Sequence, residues 1–509
     1  MDQKKFNSEN FICKRNFSGE DQTEVTQEYT LPDYFPDIKR ILHVFSDVRK
    51  TGMYISDDKI EYDGCVNCGV LYRGEDKSLQ CAEFKTEFSD IIPLKGVNAD
   101  VCDVSLCAKN MTLRALTPRK VSLKSRIEAH TDVWGDESIT PNIQGADEES
   151  IESITQTIKF SDTSLVEETG IGVSEDINIP DGMPSAQKII YTYITPHTND
   201  VKAEDGKILF RGEFKGAVIY ESAGDTNEIR IMPLNIAVSH IIPCEDAKEG
   251  AVCIGKINIY DITSTVSENT QGEKKVIELD FLYDVKVLCN KDESITAPLD
   301  MYAVGHTGRV ERKNVKCCKN SLSLTGNFSV NAQLPEEFSE NITGDILMSF
   351  GNTQGTSFSI EDGKLVCLGT CEMNTVFDSD GEYDSIRSAF QFKGEIDIPS
   401  KSFNKAESVV CDCGDIKLRH DGENYFADTE IYVDSVLCEE CSYNMIENIT
   451  FEKKPNDVKQ SVFTIYYPTS NESLWDVAKK YGVSLDFLKS SNATDDISAH
   501  KNVVIIPKK

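Results

Sequence analysis

The chain reads as a mainly β protein: three β-rich repeat domains, each a sandwich or an open barrel, followed by a small β-α-α-β module. Three observations predict this class. One motif returns at a fixed offset, the runs behind it alternate apolar and polar residues with period two, and only the C-terminal end carries strong helix punctuation.

The repeat comes first. Leu31-Pro32-Asp33-Tyr34-Phe35-Pro36 returns 148 residues later as Ile179-Pro180-Asp181-Gly182-Met183-Pro184. The same offset carries Asp58-Lys59-Ile60 through Gly64 onto Gly206-Lys207-Ile208 through Gly212. A third copy starts at Asp362-Gly363-Lys364-Leu365 and reaches Gly369, and its Pro-Asp motif is expected, degraded, near Ala297-Pro298-Leu299-Asp300. Behind each Lys, every second residue is apolar or small: Ile60, Tyr62, Gly64, Val66 in the first copy, Ile208, Phe210, Gly212, Phe214 in the second, and Leu365, Cys367, Gly369, Cys371 in the third. Such a run is a half-buried strand, or two strands split by a bend at the shared Gly. Ile92-Pro93, Ile242-Pro243 and Ile398-Pro399 follow, and a Pro ends a ladder because it has no N–H to donate. Residues 32–44 and 180–192 are compatible with a short helix after the first Pro of each motif.

At 509 residues the chain exceeds a single core. The reading divides it into 1–145, 160–292 and 296–452 for the three β domains and 459–509 for the module. Links are placed near Asp136–Ser161, near 290–300, and at Glu452–Val458.

In the module, Ser461–Tyr467 is a β-rich run and Ser473 with Asp476 has capping-box spacing. Leu474-Trp475 through Tyr481 has helical periodicity ending at Gly482, Ser484 caps a second helix bearing Leu485 and Leu488, and Val503–Pro507 is a closing strand. Trp475 and Tyr481 are expected in its small core. Tyr466, Tyr467 and Leu474 fit either the core and strand surface or the rim of a groove.

The net charge is −32. Seven Lys against five acids give residues 459–509 a charge of +2, so the body carries −34. That field repels phosphate backbones and anionic lipid, so neither nucleic acid nor a membrane surface is an expected partner. The opening MDQKKFNSENFICKRNFSGEDQ has no apolar signal core, and no run approaches the ~20 apolar residues of a spanning helix. A cytoplasmic protein without membrane insertion is expected, and the seventeen scattered Cys then read as reduced thiols.

Catalytic chemistry finds little support. Cys65/Cys68 and Cys438/Cys441 have zinc-knuckle spacing, but a three-residue step on a strand puts the thiols on opposite faces. Cys68 occupies the repeat position of Gly216 and Met373, so Cys reads there as a small core residue. Cys411 and Cys413 share a face but lack two further ligands nearby. The seven His show no metal or triad spacing, and there is no phosphate-binding Gly-rich loop or nucleophile elbow. No enzyme activity, metal or cofactor is expected.

The module resembles the LysM domain, on Phe463-Thr464-Ile465, Leu474-Trp475, Ala478 through Val483, Leu488, Asn492 and Val504-Ile505-Ile506-Pro507. The resemblance implies binding of N-acetylglucosamine glycans, such as peptidoglycan or chitin, in a groove between two loops. Carried over by position, that groove is Thr469, Ser470, Asn471, Glu472, Ser473 and Leu474 with Asn492, Ala493, Thr494, Asp495 and Ile497. The usual Gly-Asp-Thr before Leu-Trp is Asn471-Glu472-Ser473 here, a change the turn and cap tolerate.

The repeats, with their (Asp/Gly)-Lys-(Ile/Leu)-x-x-x-Gly units, downstream Ile-Pro and terminal LysM-like module, resemble the SPOCS-domain family, best over Gly206–Tyr220. The resemblance implies spore-coat assembly in endospore-forming Firmicutes, on the mother-cell side of the forespore surface. It also implies that the module docks on an ATPase-type coat scaffold protein. Two functions therefore stand: a non-enzymatic assembly protein, with the repeats as an elongated acidic scaffold, or a glycan-binding protein.

Overall fold

In a computed structural model of the chain, residues 10–56, 58–94, 96–224, 228–422, 424–454, 462–469, 472–492 and 504–507 are described. The first unit contains β1 (Phe11–Thr30), β2 (Ile38–Ser56), β3 (Lys59–Gly74), β4 (Leu79–Pro93), β5 (Val101–Thr117) and β6 (Lys120–Ser138). A short β7 (Asn142–Gln144) follows. The second unit contains β8 (Ile151–Asn178), β9 (Ala186–Glu204), β10 (Lys207–Ser222), β11 (Ile229–Pro243), β12 (Val252–Ser267) and β13 (Val276–Ala303). The third contains β14 (His306–Gln333), the helix α1 (Glu336–Asn341), β15 (Asp345–Glu361), β16 (Lys364–Ser379), β17 (Glu382–Asp397), β18 (Lys405–Cys413), β19 (Lys417–Asp421) and β20 (Asn424–Lys453). The C-terminal module has β21 (Phe463–Tyr466), α2 (Leu474–Tyr481), α3 (Leu485–Asn492) and β22 (Val504–Pro507).

The three units share one plan, and the protein is mainly β as the repeat pattern predicts. The inner strands form antiparallel meanders, β2-β3-β4, β9-β10-β11 and β15-β16-β17. The outer strands form a second sheet, β1-β6-β5, β8-β13-β12 and β14-β20-β18. The two sheets of each unit pack face to face. In the second unit Ile208, Phe210 and Phe214 meet Ile277, Phe281 and Tyr283, all buried. One pairing, Val252 with Lys202, joins those sheets along an edge.

The run behind each motif Lys is one unbroken strand. Its shared Gly does not bend it but accommodates a ring: Phe88 lies over Gly64 and Phe392 over Gly369, each directly opposite in the ladder. A side chain at either Gly would meet the ring at once. Period two gives way in the second half of these strands. Leu71, Ile219 and Val376, on the opposite face, are buried too, because that face packs against neighbouring units.

Four expectations need correction. Residues 32–44 and 180–192 hold no helix. Each Pro-x-x-x-Pro holds a turn, closed by the Phe35 N–H on Pro32 O at 3.0 Å and the Met183 N–H on Pro180 O at 2.9 Å. The β-branched and aromatic residues that follow pair as β2 and β9. The stretch near 290–300 is no link but the middle of β13, paired with β8, and the acid-rich 136–161 already contains the start of β8. The third copy of the Pro motif is not at Pro298 but at Leu334-Pro335. The N–H of Leu334 donates to Tyr425 O at 2.9 Å, as Leu31 does to Arg119 and Ile179 to Lys275 at 2.8 Å. Finally, Pro93 and Pro243 pair with Lys59 and Lys207, but Asp397 takes that place opposite Lys364, so Ile398-Pro399 lies past the ladder.

The units are not strung out in a line. They close around a pseudo-threefold axis. Phe45, Tyr193 and Phe350 hold equivalent positions on β2, β9 and β15, and their rings meet at centroid distances of 4.9, 5.6 and 5.9 Å. Around them Leu42, Leu71, Ile190, Ile219, Met348 and Val376 form a core shared by all three units. Ion pairs cross the seams: Arg49–Asp284 at 3.3 Å, Arg40–Asp384 at 2.6 Å and Arg15–Glu407 at 3.4 Å. Between the second and third units the rings of His197 and Tyr432 are 5.1 Å apart.

Candidate partner-docking site

The module folds in the order β-α-α-β, with β21 and β22 antiparallel. Ser473 caps α2: its hydroxyl accepts the Asp476 N–H at 3.2 Å, while Asp476 accepts the Ser473 N–H at 2.8 Å. Gly482 ends α2 in the left-handed region at φ +66, which favours Gly. Leu474, Trp475, Val477, Ala478, Leu488, Val504 and Ile506 form the core.

That core is completed by the body. Tyr302, from the end of β13, meets the Trp475 ring edge-on at 4.8 Å. Asp300, two residues earlier, accepts the Trp475 indole N–H at 2.9 Å and the Lys479 ammonium at 2.6 Å. Burial alone would raise the Asp300 pKa, but the hydrogen bonds from Lys479 and Trp475 outweigh it and hold the carboxyl below its ordinary range. Glu152, at the start of β8, accepts the Leu485 N–H at 3.0 Å and sits 2.8 Å from the Tyr302 hydroxyl. The Gly305 N–H donates to Gly482 O at 2.8 Å. The module is thus seated on the joint between the second and third units.

The expected groove residues are distributed as follows. Ser470, Asn471, Ala493, Thr494, Asp495 and Ile497 lie outside the described residues. Thr469 donates its N–H to Glu472 at 2.9 Å, and the Tyr466 hydroxyl donates to Glu472 at 2.7 Å. The Thr469 N–H first, then Tyr466, pull the Glu472 pKa down. Leu474 is buried in the core and Ser473 is engaged in the cap. Asn492 ties α3 to β22, donating to Ile505 O at 2.8 Å and accepting the Ile505 N–H at 2.7 Å. These five described residues hold the turns of the module in place.

Among the described residues a different face is exposed. Phe463 and Ile465 on β21 and Tyr467 just past its end alternate and are 53, 54 and 67% exposed, with Ile505 opposite Ile465 on β22 also exposed. This small apolar strip points away from the core, whereas Tyr466 faces α2, stacked edge-on against Tyr481 at 5.3 Å. Sequence periodicity could have found the strip, since Phe463, Ile465 and Tyr467 are spaced by two. Nothing in the sequence marks Asp300, Tyr302 or Glu152 as the seat of the module.

Among the described residues no group of three or more His, Cys, Asp or Glu is placed to hold a metal ion. Cys68 sits in a core with Val66 and Val70, and burial pushes its thiol up to about 12. No helix among the described residues is long and apolar enough to cross a membrane.

No curated protein and no solved structure matches the chain. The family described as SipL, SPOCS domain, matches residues 37–114 and 185–267. These stretches cover β2–β5 of the first unit and β9–β12 of the second, the meander and the strand that returns to the outer sheet. The repeat legible at an offset of 148 residues therefore falls on the two stretches that match the SPOCS family, and over these stretches the chain is similar to SipL.

Proposed function

We propose that the protein is a non-enzymatic assembly factor in sporulation, which docks a protein partner at the forming spore envelope through its C-terminal module. The SPOCS match supports the sporulation context. The single observation that carries the docking role is the exposed strip of Phe463, Ile465, Tyr467 and Ile505. Apolar side chains grouped on one face of a small sheet are an interaction surface in search of a partner. The module is held by Asp300, Glu152 and Tyr302, so a partner bound there is fixed relative to the body. The partner implied by the family resemblance is an ATPase-type coat scaffold protein.

The test is capture from sporulating cells with the full-length protein as bait. Wild type retains a coat scaffold protein, and Ile465→Asp, a change on the exposed face, loses it while the circular dichroism spectrum is unchanged. Retention by Ile465→Asp overturns the docking surface. Saturable binding of N-acetylglucosamine oligomers with no protein captured favours the glycan reading instead.

A further inference from the structure

The outer sheets of the three units line a partly open cavity of about 250 Å³ where the units meet. Cys317, Cys318 and Cys438 line it, together with charged side chains of both signs, among them Arg15, Lys405 and Glu407. Cys317 on β14 lies directly opposite Cys441 on β20, with the sulfurs 3.7 Å apart. Beside it, at a bulge in the same ladder, Cys318 and Cys438 both line the cavity, and the Cys318 sulfur lies 3.3 Å from the hydroxyl of Ser321, the residue opposite Cys438. Directly opposed residues of an antiparallel ladder have Cα atoms about 4.5–5.5 Å apart, inside the range a disulfide spans. Bond formation between Cys317 and Cys441 therefore needs side-chain rotation alone. In each pair one thiol is buried (Cys317, Cys438) and one half-buried (Cys441, Cys318). The neighbouring Cys438 thiol lowers the Cys318 pKa, which favours the thiolate at the more accessible sulfur.

We propose that these two thiol pairs form a modification site for a small disulfide with the size and zwitterionic character of cystine, admitted by this cavity. The Cys318 thiolate attacks one sulfur of the small disulfide. Its S–S bond breaks, one thiolate leaves, and a mixed disulfide forms on Cys318. Cys438 passes its proton to the departing thiolate and attacks the Cys318 sulfur, releasing the second half as a thiolate, which takes back from water the proton that Cys318 gave up. At the other pair Cys317, which lines the cavity, forms the mixed disulfide, and Cys441, directly opposite it, resolves it in the same way. Each protein dithiol is oxidised to a disulfide and each small disulfide is reduced to two thiols. The products would staple β14 to β20 where the units meet.

The test uses the reduced full-length protein, incubated with cystine, quenched in acid, alkylated after unfolding and mapped by mass spectrometry. The expected result is the loss of four of the seventeen free thiols, with peptides linked through Cys317–Cys441 and Cys318–Cys438. Cys317→Ser keeps only the Cys318–Cys438 link, and Cys318→Ser keeps only the other; Cys441→Ala, at a half-buried position, serves if Cys317→Ser does not fold. The Cys253–Cys289 pair, 3.4 Å apart and buried, lines no part of this cavity and is the internal comparison. It should remain alkylatable when the cavity pairs have closed. Free thiols at all four positions, a reaction that stops at the mixed disulfide, or Cys253–Cys289 closing as fast would each overturn the proposal.

Discussion

Asp300 shows how much can rest on one side chain. It receives Lys479 and the Trp475 indole together, and both belong to a module more than 170 residues away in sequence. Asp300→Ala removes a charge-assisted hydrogen-bond acceptor from a partly buried site and should cost about 2 kcal/mol of module docking. The loss is readable as a change in Trp475 fluorescence and as faster hydrogen exchange across α2. The pH dependence has a definite sign. The folded-state pKa of Asp300 lies below its ordinary 3.8, so its stabilisation is complete above 3.8 and is lost as the pH falls below it. Asp300→Asn should lack that acid-side loss. An Asn that matched wild type below pH 3.8 in slope as well as in value would show that another group carries it.

At the scale of the element, the first halves of the strands that follow Lys59, Lys207 and Lys364 are legible, because period two and the shared Gly survive there in all three copies. What the Gly does is not. Its partner ring comes from the next strand, and register cannot be read from one strand alone. Gly369→Val should cost about 2 kcal/mol by driving a side chain into the Phe392 ring, and pairing it with Phe392→Ala should recover part of that loss in a denaturation experiment. The Pro motif of the third unit was misplaced for a related reason. Leu334-Pro335 is followed by Glu336-Glu337-Phe338 and the short α1, so its letters differ while its hydrogen bond to Tyr425 persists. The stretches after Pro32 and Pro180 are compatible in sequence with a short helix because Pro suits the first turn of a helix as well as a β-turn. Ladder partners more than fifteen residues away decided between them.

At the scale of the whole molecule, three β units close on one another and seat the module at the joint of the second and third. The closure was invisible in the sequence, since Phe45, Tyr193 and Phe350 each look like an ordinary strand residue. Phe350→Ala should cost about 2 kcal/mol and couple to Tyr193→Ala in a double-mutant cycle. Small-angle scattering should give a radius of gyration of about 24 Å, the value for a compact chain of this length, whereas an elongated array of units would be clearly larger. In the proposed docking role, the closed body presents the Phe463–Ile465–Tyr467 strip in one fixed orientation. The measurement that tests this most directly is the position of the fluorescently tagged full chain in a sporulating cell. Wild type should gather at the surface of the developing spore, and Ile465→Asp should disperse through the surrounding cytoplasm. Wild type at the outer cell wall, or Ile465→Asp still at the spore surface, would contradict the account.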